Sequence, residues 1–264
     1  MKKNNVREKL INGESCIGSW LNLSSTTATQ LMSRVGFEWL TVEMEHSSIS
    51  FETAAQNFSI IAGSGVAPLL RVPCNSIENI KRALDTGAWG VVVPMVNSQE
   101  EAEAVVLAAR YAPQGNRSVG GVLHAANFDT STGDYYKRAN EETLVVVMTE
   151  HVDAVRDAED ILSVPGIDVA FIGPNDLHNS MGLPPAFESE HPEFLDALDH
   201  VLKTAKKHGV AAGIHVPDAE TAKKRIAEGF QFVAIASDAG FMLGKAGEVA
   251  KSLGLGSGQV MAKY

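Results

Sequence analysis

The feature that most restricts the fold of this sequence is the alternation, eight times over, of a short apolar run with a longer stretch of helical periodicity. Several of the short runs contain consecutive β-branched residues, as in Val91–Val93 and Val145–Val147. Runs that are apolar on both faces are typical of parallel strands that are covered on both sides. The predicted strands are Cys16–Leu21, Trp39–Glu43, Ala67–Val72, Gly90–Met95, Thr143–Thr149, Asp168–Ile172, Val210–His215 and Phe232–Ala236.

The amphipathic stretches between these strands are predicted to be helices, and a glycine follows several of them. Glycine readily adopts the left-handed conformation that ends a helix, so Gly36, Gly87, Gly209 and Gly229 indicate helix–strand junctions. Eight strand–helix units in 264 residues predict a single α/β domain, residues 1–264, folded as a (β/α)8 TIM barrel. A doubly wound open sheet is the alternative fold.

Composition restricts the partners of the protein. The 22 basic and 32 acidic residues give a net charge of −10, which repels phosphate backbones and argues against a nucleic-acid partner. No apolar run reaches the roughly 18 residues that a membrane span needs. The N-terminal residues lack the apolar segment of a signal peptide, and Cys16 and Cys74 do not form a disulfide framework. We therefore expect a cytoplasmic protein with reduced thiols.

Two stretches interrupt the regular alternation. Ala112–Glu142 is a long excursion after the predicted fourth strand and its helix, and Asn179–His191 lengthens the connection after the sixth strand. Long connections in a compact domain usually carry function or make contacts between subunits. We expect such loops, Ala112–Glu142 among them, to help select the substrate.

Active sites of TIM barrels lie at the carboxyl ends of the strands, so the polar residues at those positions are the candidates for chemistry. Glu150 and Asp176 follow the neighbouring fifth and sixth strands, where their carboxylates can share a hard divalent cation such as Mg²⁺. No lysine stands at a predicted strand end, which disfavours a Schiff-base mechanism. The sequence therefore favours metal-assisted chemistry.

Six segments of the chain are familiar in order and spacing. They are GSWLNLSS, VEMEHSS, LLRVP, ALDTG followed by VVVPMV, RYAPQGNRSVGG and DVAFIGPNDLHNSMG. With them the chain resembles the HpcH/HpaI aldolase family from about Ile11 to Leu253, and within it the 4-hydroxy-2-oxoheptanedioate and 2-dehydro-3-deoxyglucarate aldolases.

The resemblance implies a function as well as a fold. It implies a class II aldolase, a carbon–carbon lyase that needs a divalent cation (Mg²⁺, Mn²⁺ or Co²⁺) and cleaves a 4-hydroxy-2-oxo acid to pyruvate and an aldehyde through a metal-stabilised enolate. It also implies a homo-oligomer, most often a hexamer in which the last helix is exchanged between subunits.

The resemblance further implies roles for individual residues. Glu150 and Asp176 match the metal carboxylates of the family, and His46 matches its general base. Asp85 matches the acid that raises the basicity of that histidine. Arg71 matches the arginine that stabilises the oxyanion.

Substrate binding is implied for Met148, Asn175 and Asp176, and Trp20 at the end of the first strand completes the predicted set. Met148 stands where the family commonly has glutamine, and Asn175 stands where it commonly has a small residue such as alanine. Glu43 stands where aspartate is common. These departures leave the implied chemistry intact and leave the substrate open.

Each candidate also has a purely structural interpretation. Glu150 and Asp176 are compatible with acids at helix N-termini, where carboxylates interact favourably with the helix dipole. His46 and Asp85 are compatible with ordinary structural roles, and Arg71 with a salt bridge to an acid of the second strand. The alternative functions are oxaloacetate decarboxylation or an acyl-CoA lyase at the same site, or a barrel without catalytic activity.

Overall fold

The computed structural model describes residues 1–255, and eight parallel strands form a closed barrel in the order β1 to β8, with β8 paired to β1. This closure confirms the TIM barrel and excludes the open sheet. Every strand boundary lies within two residues of its predicted position. The last nine residues of the predicted domain, 256–264, lie outside the described residues. The strands are β1 Cys16–Leu21, β2 Trp39–Glu43, β3 Ala67–Arg71, β4 Gly90–Val93, β5 Leu144–Thr149, β6 Val169–Ile172, β7 Ala211–Val216 and β8 Phe232–Ser237.

Helices connect the strands and cover the outside of the barrel. They are α1 Asn5–Ile11, α2 Thr26–Met32, α3 Phe51–Gly63, α4 Ile77–Asp85, α5 Gln99–Ala109, α6 Leu123–Asn127, α7 Thr132–Glu142, α8 Val152–Arg156, α9 Ala158–Leu162, α10 Pro174–Ser180, α11 Pro192–His208, α12 Ala219–Glu228 and α13 Asp238–Ser252. The four glycines predicted to end helices all have positive φ angles. Among residues 1–255, no helix is both long enough and apolar enough to cross a membrane.

Serine side chains begin four of the helices that follow strands. Ser25, Ser50, Ser76 and Ser98 each accept a hydrogen bond from the backbone N–H three residues later, at the start of α2, α3, α4 and α5. Such a cap satisfies one of the N–H groups that a helix leaves without a partner. The sequence thereby fixes where the chain turns from each strand into the next helix, at the same end of the barrel.

The excursion Ala112–Glu142 contains α6 and α7, and it covers the amino-terminal end of the barrel. The ring of Phe128 stacks on Trp89, just before β4, with 4.6 Å between the ring centroids. The Phe128 carbonyl accepts a hydrogen bond from the backbone N–H of Lys2, and the Glu142 carboxylate accepts one from the backbone N–H of Asn4. This end lies opposite the mouth, so the excursion does not border the mouth of its own barrel.

Gly18 in β1 is required because the barrel interior is filled beside it. The indole of Trp39 is fully buried and stacks on Phe232, with 4.0 Å between the ring centroids. A Cβ atom on Gly18 would lie 2.0 Å from Cδ2 of Trp39, closer than any carbon contact allows.

We therefore expect Gly18→Ala to lower the free energy of unfolding by about 1–3 kcal/mol, the usual cost of overpacking a core. Gly133→Ala in α7 is the control, because nothing lies within 4 Å of its Cβ position and its φ is not positive. The control should be neutral or stabilise the protein by up to about 1 kcal/mol. Thermal unfolding of both variants measures the difference, and equal midpoints would contradict this account of β1.

Candidate active site

A cavity of about 370 Å³ opens at the carboxyl ends of the strands. With the exception of Asp85, every residue that was predicted from the sequence to act in catalysis, substrate binding or metal binding borders this cavity. The residues that border it are Trp20, Asn22, Glu43, His46, Arg71, Met148, Glu150, Phe171, Gly173, Pro174, Asn175, Asp176, Phe187, His215, Pro217, Ala236, Ser237 and Gly240.

A buried ion pair between Glu43 and Arg71 joins the ends of β2 and β3. The Arg71 Nε atom lies 2.5 Å from Oε2 of Glu43. The other carboxylate oxygen of Glu43 accepts hydrogen bonds from the backbone N–H groups of Glu45 and His46, at 2.6 and 3.0 Å. Glu43 thus fixes both the arginine and the loop that carries His46. The salt bridge of Arg71 to an acid of the second strand, which the sequence predicted as the structural interpretation of Arg71, is therefore present.

The guanidinium of Arg71 remains charged in this setting. Burial lowers its pKa, but the carboxylates of Glu43, Glu45 and Glu150 outweigh burial and leave the pKa above its ordinary value. One face of the group lies over the Trp20 ring, 4.8 Å from its centroid, and Nη1 lies 3.6 Å from the Met148 sulfur. These contacts on several sides hold a positive charge in one position within the cavity wall.

Glu150 is a buried carboxylate with one oxygen unsatisfied. Its Oε1 atom accepts a hydrogen bond of 2.9 Å from the backbone N–H of Met95, a residue with a positive φ of 53°. Its Oε2 atom has no hydrogen-bond partner among residues 1–255. Burial raises the pKa of Glu150 to about 7, although Arg71 acts in the opposite direction. A buried anion without a partner is unfavourable, and a bound cation would relieve it.

Gly173 keeps the space beside this oxygen open. A Cβ atom at position 173 would lie 2.5 Å from Oε2 of Glu150. Gly173 also begins α10, which carries Asp176 in its first turn, and no side chain caps that helix. The cap of α8 is His151, whose Nδ1 accepts the N–H of Asp153. Neither acid therefore acts as a helix-capping side chain.

The residues at this point fit a divalent cation held by two carboxylates. Glu150 and Asp176 border the same cavity, and the charge of Asp176 raises the pKa of Glu150. Within the part of the chain that the structure describes, no group of three or more His, Cys, Asp or Glu side chains forms a metal site. Hard cations such as Mg²⁺ are commonly bound by one or two carboxylates, with water and substrate as the remaining ligands. The pair of acids is sufficient for such a site.

His46 and Asp85 are not in contact within residues 1–255. The imidazole of His46 is half exposed at the mouth, with Nε2 3.8 Å from a carboxylate oxygen of Glu45. Asp85 ends α4 shortly before β4 begins, at the opposite end of the barrel, and its carboxylate accepts a hydrogen bond of 2.8 Å from buried Arg117. The contact implied by the resemblance is therefore not made inside one chain, because α4 runs antiparallel to the strands.

His215, at the end of β7, is a further residue that borders the cavity, and no role was predicted for it from the sequence. Its Nε2 lies 3.1 Å from the carbonyl oxygen of Ala236, and burial lowers its pKa to about 4, so the ring is neutral. The ring packs against Trp20 and Phe187, with centroids 5.7 and 4.9 Å away. Phe187 belongs to the second predicted excursion, Asn179–His191, which therefore reaches the mouth.

The Ala236 carbonyl is turned toward His215 by an irregularity in β8. Gly18 pairs with Ala234 and Trp20 pairs with Ser237, so β8 has one residue more than β1 between these positions. Ala236 lies in this β-bulge with a positive φ of 44°. Bulges of this kind reorient backbone groups next to active sites. Neither this bulge nor the positive φ of Met95 has a signature in the sequence.

Comparison with known proteins identifies relatives over most of the chain. Residues 16–244 match the family model described as HpcH/HpaI aldolase/citrate lyase. The 5-keto-4-deoxy-D-glucarate aldolase of Shigella dysenteriae is 35% identical over 85% of this chain and 86% of its own length. A solved HpcH/HpaI aldolase/citrate lyase family protein from Burkholderia cenocepacia superimposes with a TM-score of 0.87 and 30% identity, over 95% of this chain and 99% of that one. The HpcH/HpaI aldolase from Desulfitobacterium hafniense also has a TM-score of 0.87, with 28% identity over 94% of this chain and 95% of that one.

The raised pKa of Glu150 predicts a pH-dependent loss of stability in the metal-free protein. The folded protein keeps a proton on Glu150 up to a pH of about 7, whereas the unfolded chain releases it near 4.5. Stability should therefore fall as pH rises from 4.5 to 7, by an amount on the order of 3 kcal/mol. Glu150→Gln should remove this contribution and raise the thermal midpoint above pH 7.

The control for this measurement is Glu103→Gln, at an exposed position of α5. It should leave the pH dependence unchanged. Adding a divalent cation should recover stability in the unmodified protein and not in Glu150→Gln. If unmodified protein and Glu150→Gln have parallel pH profiles, the burial of an unpaired carboxylate is not the cause.

Proposed function

The chain belongs to the HpcH/HpaI aldolase/citrate lyase family and is a carbon–carbon lyase; on that premise we propose that it is a class II aldolase. It cleaves a 4-hydroxy-2-oxo acid to pyruvate and an aldehyde. The observation that carries this proposal is the unpartnered, buried oxygen of Glu150, in a cavity shared with Asp176, Arg71 and His46. A buried carboxylate oxygen without a partner needs a physical explanation, and a bound cation provides one.

Glu150 and Asp176 are the proposed holders of the divalent cation, with Mg²⁺, Mn²⁺ and Co²⁺ as the candidate ions. A bound cation would act as a Lewis acid toward the negative charge that develops during cleavage. Gly173 supports this role because a side chain at this position would lie against the Glu150 oxygen, where the cation would bind. The family as a whole uses such a cation, and the identity of the ion here is a proposal.

Arg71 is the proposed stabiliser of the oxyanion. Its charge is held by Glu43 before any substrate arrives, so little reorganisation is needed as negative charge appears on the oxygen at C2 of the substrate. Glu43 is a positioning residue, because it acts through Arg71 and through the loop of His46. The thioether of Met148 contacts the same guanidinium from the side. Met148, Asn175 and Trp20 are proposed to shape the binding of the 2-oxo acid.

His46 is the proposed general base. It removes the proton from the C4 hydroxyl group, the C3–C4 bond breaks, the aldehyde departs, and the bonding electrons remain on the pyruvate half as an enolate. A proton then returns to C3 and gives pyruvate. The imidazole is half exposed at the mouth of the cavity, where it can pass the proton on to solvent.

We also propose that the protein acts as a cytoplasmic homo-oligomer, a hexamer by family resemblance. Helix α13 buries only Asp238, while Phe241, Met242 and Leu243 are each at least 40% exposed. Apolar residues on a surface helix commonly mark a contact with another subunit. A role for Asp85 toward His46 would need a neighbouring copy of the chain, and it stays a prediction.

The first test is pyruvate release from 4-hydroxy-2-oxo acids, with EDTA and after addition of Mg²⁺, Mn²⁺ or Co²⁺. We expect EDTA to abolish release and a divalent cation to restore it. Asp176→Ala should fold normally and show no metal-dependent release, because it removes one of the two carboxylates. If the cation binds and no such substrate is cleaved, metal-dependent decarboxylation of oxaloacetate would replace the aldolase proposal.

The role of His46 is tested separately. His46→Ala should lower kcat by roughly 10²–10⁴-fold, the usual effect of removing a general base, while the affinity for the cation stays unchanged. His200→Ala provides the control, because His200 is exposed on α11 and does not border the cavity. Steady-state kinetics with the substrate found in the first test measure both. A rate within threefold of the unmodified enzyme would assign the base to another group.

A further inference from the structure

Charged and neutral side chains occupy different sides of the cavity mouth. His46, Arg71, Glu150 and Asp176 follow or end β2, β3, β5 and β6. The ends of β7, β8 and β1 are neighbours in the closed barrel, and there the cavity is bordered by neutral groups. Those groups are His215, Ser237, Asn22 and Trp20. We call the ends of β7, β8 and β1 the neutral side.

His215 presents a hydrogen-bond acceptor on this side. Its Nε2 carries the proton, because the Ala236 carbonyl beside it can only accept a hydrogen bond. In the neutral ring, Nδ1 then carries a lone pair. Within residues 1–255, Nδ1 has no hydrogen-bond partner, and it is absent from the fully buried polar atoms. The lone pair is thus accessible on a residue that borders the cavity.

Two other groups of the neutral side lack partners. The side-chain oxygen of Asn22 and the indole N–H of Trp20 are buried without a hydrogen bond to any described residue. The nearby Asp238 supplies no free charge, because its carboxylate accepts the backbone N–H groups of Asn22, Leu23 and Ala239. Among the described residues, the accessible acceptor of the neutral side is therefore Nδ1 of His215, beside the hydroxyl of Ser237 and the amide group of Asn22, and no cationic side chain borders the cavity there.

This combination distinguishes hydroxyl groups from carboxylates. A hydroxyl group can donate to the lone pair of His215 Nδ1 and still accept a hydrogen bond from a neighbouring group. A carboxylate can only accept, so it makes no hydrogen bond with His215 Nδ1. Arg71 is the only lysine or arginine among the residues that border the cavity, and Glu43 and Glu45 already engage it. A second carboxylate on the substrate would therefore lose its water without gaining a cation.

We infer that the neutral side binds the aldehyde half of the substrate, that this half is a neutral hydroxylated chain, and that His215 Nδ1 accepts a hydrogen bond from one of its hydroxyl groups. This inference rests on the proposed aldolase function. It names the substrate class of the same site: 4-hydroxy-2-oxo acids that carry hydroxyl groups and no second carboxylate beyond C4. His215 is a specificity-determining residue in this scheme and takes no part in breaking the C3–C4 bond.

The test uses the reverse reaction, the addition of pyruvate to an aldehyde, with three acceptors. Glyceraldehyde carries hydroxyl groups, propanal carries none, and tartronate semialdehyde carries a carboxylate where glyceraldehyde has its terminal CH₂OH. We expect kcat/KM for glyceraldehyde to exceed those for propanal and for tartronate semialdehyde by about tenfold, the ratio that one good hydrogen bond supplies. In His215→Leu the ratio of glyceraldehyde to propanal should fall about tenfold. In His200→Leu, the matched control on α11, it should not change.

Deuterium exchange at C3 of pyruvate, followed by NMR in D₂O with the divalent cation and without any aldehyde, separates the two proposals. Exchange reports enolate formation alone, and its detection in His215→Leu shows that this variant is folded. If exchange occurs and the ratio in His215→Leu equals that of the unmodified enzyme, or tartronate semialdehyde is the best acceptor, the inference about the neutral side is wrong and the aldolase proposal stands. If the unmodified enzyme shows no exchange, both are overturned.

Discussion

The buried contact between Glu43 and Arg71 is the interaction on which the arrangement of the cavity depends. It bridges neighbouring strands, orders the backbone in front of His46 and holds a positive charge beside Glu150. A buried ion pair contributes little net stability, because removing two charges from water costs about as much as their attraction returns. Its value here lies in orientation. One carboxylate, that of Glu43, thus anchors both Arg71 and the loop that carries His46.

The two ends of the barrel divide stability and chemistry between them. At the amino-terminal end, aromatic rings, α1 and the helices of the excursion cover the barrel, and Arg110 joins Asp168 to the backbone of Thr143 and Gly166. At the mouth, the carboxylate of Glu150 has an oxygen without a partner among the described residues, and Met95 and Ala236 have positive φ angles. Unfavourable local conformations of this kind are tolerated only where the surrounding structure is well packed.

Strands, helix ends and the positions at the mouth could be predicted from the sequence because local pattern determines them. Buried parallel strands are continuously apolar, and the polar residues at their carboxyl ends lie at the mouth of the barrel, as Glu150 and Arg71 illustrate. Long-range packing could not be predicted this way. The sequence did not indicate that Phe128 of the excursion packs beneath its own barrel, or that Asp85 binds Arg117 at that same end. The expected part of the excursion in substrate selection stays a prediction.

The features of the cavity that could not be predicted from the sequence share one physical cause, the local conformation of the backbone. The importance of His215 comes from a carbonyl that a β-bulge turns toward it, and the position of Glu150 depends on the N–H of Met95. Both are backbone effects, and side-chain patterns carry no record of them. Glu43 is the exception, since an acid at a strand end and its possible salt bridge to Arg71 could both be predicted from the sequence.

The bulge in β8 has a consequence for how such enzymes diverge. The bulge inserts one extra residue into β8 near the carboxyl end of the strand. The backbone beyond the bulge therefore need not keep the register of the paired residues before it, and substitutions at this end leave that pairing with β1 undisturbed. In the proposed scheme that end of β8 binds the aldehyde half of the substrate, apart from the acids proposed to hold the cation. Descendants of a duplicated gene can therefore exchange one aldehyde for another by a few changes there, while inheriting the bond-breaking apparatus whole.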